Sequence, residues 1–182
     1  MFSKILFKLL QESLFPIMGF IVIKVLITVV SATSLGYAVN LNNIFNLEVS
    51  QEHYKIINSD ILLWFAIFCF LGMTYSLIKS LYFHNTHISP RTTMSLFNFR
   101  VRFLIQDSFH LFSQSIVWLL FNYVVSFLAL FLFYLGLSSL YLVIISILFS
   151  LIATYLLALD IEYEIEKEEM ESLPEVFVDE NA

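Results

Sequence analysis

Residues 15–39 read "FPIMGFIVIKVLITVVSATSLGYAV", a stretch in which Lys24 is the single charged residue. From Ile17 onward the run is 23 residues long. As a helix rising 1.5 Å per residue it extends ~35 Å, more than the ~30 Å hydrocarbon core of a bilayer. Three further runs have similar length and character: Ile61 to Phe83, Leu111 to Leu135 and Leu140 to Leu159. A transmembrane β-barrel would show alternating segments of about ten residues instead. The first run is longer than the apolar region of a signal peptide and Met1 is present, so an anchor is expected there.

Composition agrees with this reading. Of 182 residues, 59% are hydrophobic and 13% charged. Soluble domains carry about a quarter charged residues, and a water-soluble fold of this size could not hide so much apolar surface. The expected fold class is an all-α integral membrane protein with four transmembrane helices. A membrane domain is expected over 1–159, with spans at about 17–39, 61–83, 111–135 and 140–159. An acidic tail follows over 160–182.

Basic residues set the expected orientation, because Lys and Arg are retained on the cytoplasmic side. Lys4 and Lys8 precede the first span, Lys79, Arg91, Arg100 and Arg102 end the second or follow it, and Lys167 lies in the tail. The connector Asn40 to Asp60 holds only Lys55, and Gly136 to Ser139 holds no base. Seven against one places both termini inside. The expected location is a bacterial inner or organellar inner membrane.

Lys24 then lies ~10 Å past the cytoplasmic boundary. Helical side chains lean toward the N-terminus, so its four-carbon stem can carry the ammonium back to the headgroups. Lys24, Thr28 and Ser31 are also spaced i, i+4, i+7, one polar stripe expected to face protein. An ion path through the stripe would call for an acid at similar depth, and every Asp and Glu reads as lying near a span end or outside. Snorkelling is the favoured role.

Small residues recur every fourth position in Gly72, Ser76 and Ser80 of the second span, and in Ser146, Ser150 and Thr154 of the fourth. Such spacing lets helices approach closely where no hydrophobic effect drives them together. In the third span Ser115, Asn122 and Ser126 share a face with Trp118. Hydroxyls in a membrane helix can equally bond their own i−4 carbonyls. Between the third and fourth spans only "GLSS" intervenes, which implies an antiparallel hairpin with Gly136 ending one helix and Ser138 or Ser139 capping the next.

No catalytic constellation emerges. His84, His87 and His110 fall at one end, short of the three or four supported ligands a metal or haem site needs. G-x-S-x-G elbows and phosphate-cradling loops are missing from a chain with four glycines. Cys69 is mid-span, where apolar burial keeps a thiol inert. Neither an enzyme nor a cofactor, metal or nucleic-acid binder is expected.

Two segments suit partners. Ser89 to Phe109, with three arginines and many apolar residues, reads as an interfacial cytoplasmic helix. From Asp160 the tail holds ten acids and one base, a net −9 that leaves the first 159 residues at +3 within a total of −6. Such a run reads as solvated and disordered, projecting away from anionic lipid. Leu173, Val176 and Phe177 form an apolar island in it that could dock a partner. The expected function is an accessory, scaffold or assembly subunit of a larger membrane complex, in contact with the lipid bilayer and with other membrane subunits or copies of itself. The alternative is a small oligomeric transporter or channel, with Lys24 and the Ser/Thr stripes lining a path.

Overall fold

The structure, a computed structural model, describes residues 2–39, 49–83, 94 and 108–172. Four long helices make up most of these residues: α1 (Phe2–Ser34), α2 (Gln51–Phe83), α3 (Ser108–Tyr134) and α4 (Leu140–Ser172). No strand occurs among the described residues. All four helices are long and apolar enough to cross a bilayer, which marks an integral membrane protein.

Successive helices run antiparallel. Thus Ala32 of α1 packs on Ile57 of α2, Ser76 of α2 meets Ser115 of α3, and Ser126 of α3 meets Ser150 of α4. The central pair is α2 and α3, each touching every other helix, with α1 and α4 on its two sides. Least buried of the four is α1.

Three helices carry a buried line with alternating steps of three and four residues. It runs through Ser59, Leu62, Ala66, Cys69, Met73, Ser76 and Ser80 on α2. On α3 it comprises Leu111, Ser115, Trp118, Asn122, Val125 and Ala129. On α4 it is Val143, Ser146, Ser150, Ala153, Leu157, Asp160 and Glu164. A 3.5-residue period keeps one seam facing its neighbours along a whole helix, as in left-handed coiled coils. The seam is rich in Ser and Ala, so attraction comes from close contact and hydrogen bonds rather than from bulk. Larger side chains fill what remains: Met73, Leu77, Trp118, Ala153 and Leu157 form one cluster, and Phe70 of α2 stacks on Phe149 of α4 at 4.6 Å.

The helices outrun the expected spans. α1 starts at Phe2, α2 begins at Gln51 rather than Ile61, and α4 continues unbroken to Ser172. At 33 residues each of these three helices is ~50 Å long, well beyond the hydrocarbon core. Hydropathy marks where the bilayer would begin. It does not mark where a helix ends, and stretches such as "EYEIEKEEMES" are good helix formers in water. Asp60 is therefore a helical residue of α2, not the end of a connector. The acidic segment expected to be disordered is helical as far as Ser172; residues 173–182 lie outside the described residues.

Two helix ends share one device. Gly36 and Gly136 take positive φ, 85° and 74°. The next residue's N–H reaches back to the third-last helical carbonyl in each case, Tyr37 to Ala32 at 2.9 Å and Leu137 to Leu132 at 2.8 Å. Glycine suits this position because residues with a side chain adopt positive φ only with backbone strain. Ser139 precedes the first residue of α4, and its hydroxyl lies 3.4 Å from that of Ser59 on α2.

Candidate functional site

The two small-residue stripes face each other's neighbours across the seams. Ser76 and Ser115 hydroxyls bond at 2.7 Å with both residues buried. Gly72 lies beneath Trp118, where an added Cβ would stand 2.5 Å from three carbons of the indole. Ser126 is the hub between α3 and α4. Its oxygen lies 2.8 Å from the Ser146 carbonyl, 2.8 Å from the Ser150 hydroxyl and 3.0 Å from the Asn122 carbonyl. One hydroxyl proton serves one of these acceptors at a time, and Ser150 in turn donates to the Ser146 carbonyl at 3.0 Å. Thr154 meets Tyr123 across the same interface at 2.7 Å. Asn122 is buried, but its amide donates within α3 to the Trp118 carbonyl at 3.0 Å. The hydroxyls thus do both jobs open to them, back-bonding along a helix and bridging between helices.

The Lys24 stripe is split. Thr28 and Ser31 are buried, whereas Lys24 is exposed. The inward line of α1 runs Pro16, Phe20, Ile23, Ile27 and Ser31, so Lys24 and Thr28 sit one position to its side. A short threonine is covered at that edge, and a long lysine reaches past it. Ser31 donates to Asp60 of α2 at 2.7 Å. This carboxylate belongs to α2 and directly precedes its apolar run, which begins at Ile61.

A second departure is larger. At the end of the bundle where α1 and α3 begin and α2 ends, three helices each contribute a pair of residues four apart. Lys8 and Glu12 come from α1, Tyr75 and Lys79 from α2, and His110 and Gln114 from α3. Glu12 Oε1 lies 3.2 Å from His110 Nδ1 and 3.9 Å from Lys8 Nζ. Lys79, only 7% exposed, donates from Nζ to Gln114 Oε1 at 3.1 Å. Its ammonium lies 5.4 Å from the centre of the Tyr75 ring, within cation–π range, and within electrostatic reach of Glu12. An i, i+4 spacing sets each pair on one helix face, and the antiparallel order brings the three faces together.

Pro16 is fully buried one turn beyond Glu12. Lacking an N–H, it cannot bond the Glu12 carbonyl, a weak point in α1 next to the cluster. Around it, Phe15 stands edge-on to Trp118 at 6.1 Å and Phe20 to Phe65 at 4.6 Å, and Gly19 leaves room for Phe68. On α4 at the same end, Asp160 and Glu164 are buried on its seam.

The remaining sequence candidates are placed as follows. His84 and His87, and the docking residues Leu173, Val176 and Phe177, lie outside the described residues. So does the proposed interfacial helix, apart from Met94 and the first turn of α3. Among the described residues no group of three or more His, Cys, Asp or Glu could hold a metal ion. Compared with protein-family models, curated proteins and solved structures, the chain matches none.

Proposed function

We propose that this protein is a non-catalytic accessory, scaffold or assembly subunit of a larger membrane complex, lying with both termini in the cytoplasm. The observation that carries the reading is how the interior hydroxyls are used. Ser76 with Ser115, and Ser126 with Ser146 and Ser150, bond one another and the backbone across helix seams. Polar groups spent this way hold helices together and leave little to line a conducting path. Outside, α3 offers an apolar hollow of ≈430 Å³ between Phe127, Leu130, Phe131, Phe133 and Tyr134, a shape suited to a neighbouring helix. Extraction in mild detergent, followed by identification of what accompanies the protein, tests this: a stoichiometric membrane partner is the expected result. A homo-oligomer that conducts ions after reconstitution would favour the channel reading instead.

The Lys24 variants divide the same two readings. If the exposed ammonium only reaches the headgroups, Lys24→Arg keeps its long stem and charge, and Lys24→Met removes a cost of up to ~3 kcal/mol on insertion scales. Both variants are expected to complement the native phenotype at normal membrane abundance. Loss of function at normal abundance with Lys24→Met would assign the ammonium a transport or partner-binding role.

A further inference from the structure

On the subunit reading and the orientation proposed above, we infer that the hollow between α2 and α4, at the end of the bundle where α2 finishes, docks the basic flank of a transmembrane helix from a partner subunit. The site rests on both. Leu77 and Leu81 of α2 and Leu156, Leu159, Asp160 and Tyr163 of α4 line this hollow, which holds ≈220 Å³. A cavity of ~150 Å³ admits a benzene ring, so a large apolar side chain has room here. Leu156 and Leu159 close the apolar run of α4. Beyond them the helix continues from Asp160 to Ser172 through seven acids and one base.

Charge selects the occupant. Glu162 and Glu166 are exposed, four residues apart, and among the described residues neither makes an ion pair. Asp160 and Glu164 lie on the buried seam beside them. The chain's own bases do not balance this end. Over the whole sequence assigned to the cytoplasmic side, seven Lys and Arg stand against twelve acids (Glu12, Asp107 and the ten from Asp160 onward), which leaves −5. Acids count little in setting orientation, so this end is cytoplasmic by its bases and still anionic in sum. An anionic lipid headgroup is repelled there. A membrane helix inserted under the same positive-inside rule carries Lys or Arg at its cytoplasmic flank. Such a helix supplies both halves of the match: apolar side chains at the depth of the leucines, and cations level with Glu162 and Glu166.

Photo-crosslinking of the full chain in native membranes tests this surface. The photoreactive residue p-benzoylphenylalanine replaces Tyr163 on the hollow or, as a control, exposed Leu26 on α1. The Tyr163 position is expected to give one discrete protein adduct and the Leu26 position none. The crosslinked peptide should come from the end of an apolar run of about 20 residues, within about two turns of Lys or Arg. Glu162→Lys combined with Glu166→Lys, both at exposed sites off the packed seams, should lower the yield about fivefold at normal membrane abundance, the effect of losing two modest surface ion pairs. Glu52→Lys, at the opposite end, should leave it unchanged. A yield indifferent to the double reversal, an equal adduct at Leu26, an adduct to a second copy of this chain, or no protein adduct overturns the surface. If a stoichiometric partner accompanies the protein through detergent while Tyr163 gives no adduct, the surface fails and the subunit reading stands. A protein that extracts alone and gives no adduct loses both.

Discussion

Lys79→Glu is expected to cost the bundle ~3–5 kcal/mol, the range for leaving an uncompensated buried charge. The substituted carboxylate would lie in the reach of Glu12 and would face the oxygen of Gln114, which can no longer accept from it. Lys79→Met should cost less, because a buried charge is then removed rather than reversed, and Glu12 keeps Lys8 and His110. The informative variant is the double one. Glu12→Lys with Lys79→Glu restores opposite charges between α1 and α2 and should recover most of the loss, whereas Glu12→Lys alone should not be tolerated. Thermal melting in mild detergent reads all four proteins. Losses that simply add in the double variant would mean that the two residues do not act on each other.

Gly72→Leu is expected to destabilise by ~1–3 kcal/mol through overpacking, and Ser150→Leu by a similar amount. At position 72 the first carbon added already collides with the Trp118 ring. The indole must then leave the cluster it forms with Met73, Leu77, Ala153 and Leu157, so the damage extends to α4. At position 150 the residue is 1% exposed and its hydroxyl is part of the Ser126 hub, so leucine both crowds the seam and removes a bond. Ala158→Leu, on the exposed face of α4, is the matched control and should be nearly silent. Unchanged melting in both seam variants would remove the case that these faces hold the helices together.

What was legible beforehand follows from how each signal is written. Four long apolar runs announce four helices, because a bilayer demands continuous hydrophobicity and no pairing with distant residues. The hairpin at "GLSS" was likewise visible, since Gly136 must supply a left-handed residue there. The small-residue stripes were seen as an every-fourth pattern. The true seam alternates three and four, so it passes through Ser146, Ser150 and Ala153 while Gly72 and Thr154 lie on its flank. That alternation was hidden because Ala153, Cys69 and Met73 are apolar residues in a wholly apolar run, with no polar face to contrast against.

The polar cluster is far less legible in the sequence. Glu12, Lys79 and Gln114 come from three different helices, and each looks like an ordinary residue near a span end. A signal did exist in the three i, i+4 pairs at the start of α1, the end of α2 and the start of α3, all destined for one side. Reading it requires knowing that Glu12 is helical, and hydropathy placed the start of the first span after that residue. The same reliance on hydropathy made Asp60 a connector residue and Asp160 the start of a tail.

One labelling experiment bears most directly on the account, because orientation fixes where the Lys8, Glu12, Lys79 and His110 end faces. In a Cys69→Ser background, which removes the chain's single cysteine, new cysteines are placed at Asn42 and at Ser89 and treated with a membrane-impermeant thiol reagent from outside the intact cell. The account predicts that Asn42→Cys is labelled and that Ser89→Cys is labelled only after the membrane is permeabilised. Labelling of Ser89→Cys but not Asn42→Cys in intact cells would contradict it, turning the basic end outward against the seven-to-one distribution of Lys and Arg.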